Sequence, residues 1–248
     1  MIHWIDDQHL DLDGVRFRLD MSGERPLDDG GSEIVLMKTC ELVKAYADAL
    51  APYHNCNVVE VGVWGGGSTI LWHRLLRPRK LVAIELEHEV PKALSRYIDE
   101  NALEGTIVPC FGVDQSDTEA LREILRREFA DEQVVDVVID DASHRYEPTK
   151  AAFNELFRWL RTGGRYFIED WGWAHWPGRF QDFWKDEPAL SNLLFELTMV
   201  LACWGGYIVS RVDVRRGFAA IERGEGRLHD PFDVSTLFLS RGRKFERI

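Results

Sequence analysis

Residues 58–77, Val58-Val-Glu-Val-Gly62-Val-Trp-Gly65-Gly66-Gly67-Ser68-Thr-Ile-Leu-Trp-His-Arg-Leu-Leu-Arg77, read in two halves joined by glycines. VVEVG (58–62) is a β-branched run of strand length, and STILWHRLLR (68–77) has the composition of a helix. The same alternation continues downstream. LVAIE (81–85) is a second strand, followed by the helical stretch HEVPKALSRYIDENA (88–102). Residues 107–112 form a third strand before the helix SDTEALREILRREFA (116–130), and VVDVVID (134–140) a fourth before PTKAAFNELFRWLR (148–161), with Gly163-Gly164 as its stop signal. RYFIE (165–169) is a fifth strand. Strands separated by ten- to fifteen-residue helices mean βαβ units, right-handed crossovers and a parallel, doubly wound α/β sheet. A helix over 192–202 and strands at 207–214 and 218–222 then predict a closing antiparallel hairpin at the sheet edge. Upstream, Ser32 is read as the cap of a helix from Glu33 to about Leu50, ended by Pro52. The expected organisation is one domain over 1–248: an N-terminal extension (1–32), a core (33–222) and a C-terminal tail (223–248).

The chain has 248 residues, 45% hydrophobic and 29% charged, the balance of a soluble globular protein. Its formal charge of -12 repels phosphate backbones and anionic lipid, so neither nucleic acid nor membrane is an expected partner. Arg122, Arg126 and Arg127 alternate with Glu119, Glu123 and Glu128 and read as a solvated helix face. Four cysteines without a CxxC pair argue against structural zinc and a disulfide framework. Acidic residues at the start, where a secretory leader would be basic and then apolar, point to a cytoplasmic enzyme. No stretch is long and apolar enough for a transmembrane reading. A homo-oligomer stays open.

In open α/β sheets ligands bind beyond the carboxyl ends of the strands. The first strand ends in Glu60, Gly62, Gly66 and Ser68, where glycines let a turn approach a ligand and a helix starts with free N–H groups. By itself this loop does not separate a dinucleotide from S-adenosylmethionine, although the spacing is not a regular G-x-G-x-x-G. Glu85, at the second strand end, can accept from both ribose hydroxyls, or be a solvated acid beside Glu87 and Glu89. Asp114 and Gln115 after the third strand can meet an adenine edge, or belong to a helix cap led by Ser116 or Asp117. The fourth and fifth ends, Asp140-Asp141-Ala-Ser-His144 and Glu169-Asp170-Trp171, converge several carboxylates that a cation or protons must compensate. Oxygen ligands without a nearby cysteine favour a hard ion such as Mg²⁺ over zinc. His144 can stand beside that ion as a base. Of nine tryptophans, Trp171, Trp173, Trp176 and Trp184 fall within residues 171–185, which read either as a substrate lid or as a packed corner, without regular secondary structure.

EVGVWGGGS, the Glu85 strand end, GVDQSD, IDDASH and RTGGRYFIEDW together resemble the metal-dependent class I S-adenosylmethionine O-methyltransferases of natural-product and antibiotic biosynthesis, notably the mycinamicin and macrocin sugar O-methyltransferase group, with cephalosporin hydroxylase more distant. The resemblance spans about residues 32–222. It implies a Rossmann-like sheet, Mg²⁺ held by Asp141, Glu169 and Asp170, and His144 as general base with Asp141 in the catalytic set. It also implies cofactor contacts from Glu60, Gly62, Gly66, Ser68, Glu85, Asp114, Gln115 and Asp140. Val113 departs from the family's Gly-Asp spacing at the adenine contact, and the family's large auxiliary N-terminal part is not matched, so the macrolide acceptor is not carried over. The implied reaction is methyl transfer to a hydroxyl of a sugar or polyketide-like small molecule. Two rivals remain: an NAD-dependent oxidoreductase, which leaves the acidic cluster unexplained, and a catalytically silent binding module, which predicts damage at Asp141, His144, Glu169 or Asp170.

Overall fold

The computed structural model describes residues 2–24, 33–129 and 134–248. The chain divides into two compact units, residues 1–112 and 113–248.

The first unit opens with four short strands, β1 (Ile2–Trp4), β2 (His9–Leu12), β3 (Val15–Leu19) and β4 (Glu33–Leu36), in the order β1-β2-β3-β4. β1, β2 and β3 are antiparallel, and β4 runs parallel to β3 with Ile34 opposite Phe17. This corrects the helix expected over 33–50. Pairing with β3 takes residues 33–36 as a strand, and the helix α1 (Cys40–Leu50) begins later, capped by the Thr39 hydroxyl, which accepts from the Leu42 N–H at 3.2 Å. The expected cap Ser32 lies outside the described residues. After α1 come β5 (Asn57–Val61), α2 (Gly67–Leu76), β6 (Lys80–Glu85), α3 (Lys92–Glu100) and β7 (Ile107–Phe111), with β6 parallel to both β5 and β7. Nearly every side chain of β5 and β6 is buried, as expected of parallel strands covered on both faces. At Gly67 a Cβ would lie 2.0 Å from the Val35 carbonyl oxygen, so only glycine lets α2 start against β4.

The second unit contains α4 (Thr118–Glu128), β8 (Val135–Asp140), α5 (Tyr146–Trp159), β9 (Leu160–Glu169), α6 (Arg179–Trp184), α7 (Ser191–Trp204), β10 (Val209–Val214) and β11 (Phe218–Arg223). Its strand order is β10-β11-β9-β8, with β8 and β9 parallel and the β10–β11 hairpin antiparallel at the edge. The fold is thus the expected α/β type, mostly parallel with an antiparallel edge. Gly163 and Gly164 do not stop a helix: α5 ends at Trp159, and the glycines lie inside β9, where Leu160 faces Val135 but Arg165 already faces Val137. The residues between them form an irregularity that Gly163 permits with φ +75°. Residues 171–185, expected to lack regular structure, hold a 3₁₀ turn (Trp173–His175) and α6. The tail is tied down by arginine side chains. Buried Arg223 donates to the carbonyls of Gly224 and Gly226, and Arg247 reaches Glu196 of α7 at 3.2 Å, which also accepts from the Tyr146 hydroxyl at 2.6 Å.

Candidate functional site

In the first unit the glycine turn is organised by Glu85. Its Oε2 accepts from the backbone N–H groups of Val63 (2.8 Å) and Trp64 (2.7 Å), and its Oε1 from Glu87 N–H at 3.2 Å. Gly62 (φ 91°) and Gly66 (φ 84°) take left-handed backbone conformations, and Gly66 caps α2. A Cβ on Gly66 would lie 2.8 Å from that of Leu94. Glu85 is only partly buried, so Oε1 keeps acceptor capacity beyond the turn. Glu60 is different. It is 1% exposed and turned into the unit, accepting from the Thr69 hydroxyl (2.5 Å) and the Trp72 indole (2.9 Å). Burial pushes its carboxyl up to about 7, against the opposing pull of hydrogen bonds from Ser68, Thr69 and Trp72 and the charge of Lys38.

In the second unit, Asp114 Oδ1 accepts from both the N–H (2.8 Å) and the hydroxyl (2.7 Å) of Ser116, which holds its carboxyl below the usual range. Asp117 caps α4 by accepting from Ala120 N–H at 3.0 Å. This segment therefore forms the capping turn that the sequence left open as one of two readings. Gln115 is buried and bridges inward: its amide donates to Asp140 at 3.4 Å, and its Oε1 accepts from Ser143 N–H at 2.8 Å. It thereby ties the end of β8 to the loop that follows. Asp140 also accepts from the buried Tyr166 hydroxyl at 2.7 Å, and burial pushes its carboxyl up to about 7. These positioning partners, Gln115 with Ser143 (28 apart in sequence) and Tyr166 with Asp140 (26 apart), are signalled by no local pattern.

Beyond β8 and β9 the chain brings three ligand-bearing side chains together. Asp141, His144 and Asp170 each offer a donor atom, all within 4.8 Å of one another, and all three are half-buried. His144 Nε2 stands 3.9 Å from Asp141 Oδ1. His144 (φ 55°) and Asp170 (φ 52°) both adopt the left-handed backbone region. Glu169, the last residue of β9, is 2% exposed and is not a member of this trio. Successive strand side chains face opposite sides, and the left-handed turn at Asp170 redirects the chain there. The two carboxylates are hard oxygen donors of the kind that fit a divalent cation such as Mg²⁺, with the imidazole beside them. Next to the trio, the Trp173 indole lies against the His144 ring with centroids 4.5 Å apart.

A family described as "Methyltransferase domain" matches residues 59–171, which run from β5 to just past Asp170. This stretch is similar to a methyltransferase domain. Among curated proteins, demethylmacrocin O-methyltransferase of Streptomyces fradiae is 33% identical over 143 residues, 55% of this chain and 32% of that protein. Mycinamicin VI 2''-O-methyltransferase of Micromonospora griseorubida is 31% identical over 128 residues, 49% of this chain and 28% of that protein. Among solved structures, the MycE methyltransferase of the mycinamycin biosynthetic pathway, in complex with Mg and SAH, superimposes with a TM-score of 0.56 at 27% identity, covering 75% of this chain and 49% of that one. The match spans about a third of the length of these curated relatives and about half of the solved structure. The matched stretch includes the glycine turn, Glu85, Gln115 and the Asp141–His144–Asp170 trio. Among the described residues no helix is long and apolar enough to cross a membrane.

Proposed function

We propose that this chain transfers a methyl group from S-adenosylmethionine to a hydroxyl of a small glycosylated or polyketide-like acceptor, with a divalent cation as cofactor. The observation that carries the reading is the Asp141–His144–Asp170 cluster in a stretch similar to a methyltransferase domain. In support, a related solved enzyme carries Mg and SAH, and two curated relatives are named as O-methyltransferases of macrolide compounds.

Asp141 and Asp170 would hold the cation, with Glu169 beside them in the chain. A dication held there supplies positive charge that lowers the pKa of an acceptor hydroxyl and orients it. Mg²⁺ favours oxygen ligands, which leaves His144 to take the acceptor proton on its ring nitrogen rather than serve as a third ligand. An aliphatic hydroxyl is too weak an acid to attack unaided near neutral pH, so both contributions are needed. On the cofactor side, Glu85 Oε1 can accept from ribose hydroxyls while Oε2 holds the turn at Val63 and Trp64. Gly62, Gly66 and Ser68 line that turn, Asp114 and Gln115 would approach the base, and Asp140 and Glu60 act through the side chains they anchor. Holding donor and acceptor in line supplies several kcal/mol of the barrier, roughly 7–11 in well-oriented cases.

The test incubates the protein with labelled S-adenosylmethionine, Mg²⁺ and a panel of glycosylated natural products. Label transfer to a hydroxyl supports the reading, and so does thermal stabilisation by S-adenosylhomocysteine. No stabilisation by that ligand, together with a nicotinamide signal in the purified protein, would favour the oxidoreductase reading instead. Stabilisation without transfer to any acceptor would favour a silent binding module.

A further inference from the structure

The chain that leaves β9 after Asp170 turns at once into the aromatic segment, whose Trp173 lies against the histidine of the trio. The Trp173 indole meets the His144 imidazole at 4.5 Å between centroids, with the planes tilted by 50°. It is in turn fixed by Phe180 at 5.4 Å, Trp184 at 6.0 Å and Trp176 at 6.2 Å. Aromatic pairs at such separations and tilts are attractive beyond the area they bury. The indole N–H is buried and has no hydrogen-bond partner among the described residues. Burying a lone donor costs about 1–3 kcal/mol, so the indole is not kept there for its N–H. What the site uses is the ring surface.

His144 Nε2 stands 3.9 Å from Asp141 Oδ1. The neighbouring Arg145 grips the same segment a second time, with its guanidinium 5.4 Å from the Phe183 ring centre and 3.4 Å from Glu187 Oε1. The aromatic segment is therefore held at two consecutive residues of the loop that carries His144.

We infer that Trp173 is a positioning residue, whose indole face blocks the sideways swing of the His144 ring and keeps its nitrogen on the side of Asp141 and Asp170. The inference rests on the reading of His144 as the base. A flat apolar ring performs this task and a branched aliphatic one does not, so phenylalanine substitutes for the indole and leucine fails to.

The test compares Trp173→Phe and Trp173→Leu by two readouts. The first is the imidazole C–H NMR spectrum of histidine-labelled, metal-free protein, with the His144 signals assigned by their loss in His144→Gln. The ring current of a facing aromatic moves those signals upfield in the wild type and in Trp173→Phe, and the displacement disappears in Trp173→Leu. The second is turnover with the acceptor found above. kcat falls about 10- to 100-fold in Trp173→Leu and stays within about threefold in Trp173→Phe, with KM for S-adenosylmethionine unchanged in both. Should Trp173→Leu fail to fold, Trp173→Met removes the ring instead. The inference is overturned if the His144 signals are the same with and without the ring, or if the phenylalanine variant is as impaired as the leucine one. Wild-type protein that transfers no methyl group counts against the functional reading, and the NMR comparison still decides the role of Trp173.

Discussion

Glu60 offers the most direct test of the buried electrostatics, because its carboxyl is 1% exposed and raised to about 7 from an ordinary value of 4.5. A carboxyl raised by folding stabilises the native state fully below its unfolded pKa, and that contribution is lost as pH rises through the folded value. Here the window is pH 4.5–7, where the native state binds the extra proton. A tenfold difference in proton affinity between the folded and unfolded chain is worth about 1.4 kcal/mol, so ionised Glu60 costs the fold about 3 kcal/mol above pH 7 relative to strong acid. Glu60→Gln removes the titration and keeps the hydrogen bonds. The amide oxygen can accept from the Trp72 indole, and the amide N–H can donate to the Thr69 hydroxyl, which rotates to accept. Asp140 titrates in the same range, so the difference between variant and wild type, measured at each pH, isolates Glu60. In urea or thermal unfolding, Glu60→Gln should gain about 2–3 kcal/mol on the wild type between about pH 5 and pH 8, roughly 5–10 °C in Tm for a chain of this size. A difference curve flat across that range would show that Glu60 ionises normally and that burial does not govern its charge.

Three further outcomes are expected. His144→Ala should lower turnover about 10²- to 10⁴-fold, the usual general-base contribution, with S-adenosylmethionine affinity unchanged by calorimetry; loss of both together would remove it from the role of base. Chelation with excess EDTA should abolish turnover and Mg²⁺ should restore it, whereas undiminished transfer would make Asp141 and Asp170 structural acids. Glu85→Ala should cost about 2–4 kcal/mol of stability, because it strips the acceptor from Val63 and Trp64, and Glu85→Gln, which can keep an oxygen on those N–H groups, should retain the fold but bind cofactor more weakly.

The parallel strands are legible in the sequence because burial on both faces leaves continuous apolar runs such as VVEV and LVAI, which tertiary contacts then only confirm. Residues 33–36 escape a local reading for the complementary reason. Glu33–Leu36 is short, its neighbours favour a helix, and the deciding pairing with Val15–Leu19 is invisible to any local window. Gly163 and Gly164 mislead in the same way, since a glycine pair marks a helix end and a strand irregularity alike. In the candidate site, the strand-end acids and His144 stand out because carboxylates interrupt apolar strands at the place where such sheets bind ligands. Which of Glu169 and Asp170 joins the trio is not legible, because it depends on strand parity and on a left-handed residue directly after β9. The partners of Glu60, the bridge by Gln115 and the seat of Trp173 against His144 are contacts between side chains of ordinary type, set by the fold and not by local spacing.

The left-handed backbones of His144 and Asp170 have a consequence for how this protein can change. An L side chain in that region stores about 1–2 kcal/mol that glycine would release, although glycine returns part of it as chain entropy. Both positions carry a side chain of the trio, so the one substitution that frees the backbone there also removes a group the site needs, and the His144 side chain is further held by its contact with Trp173. The two turns thus tie the shape of the loops to the identity of the residues that occupy them.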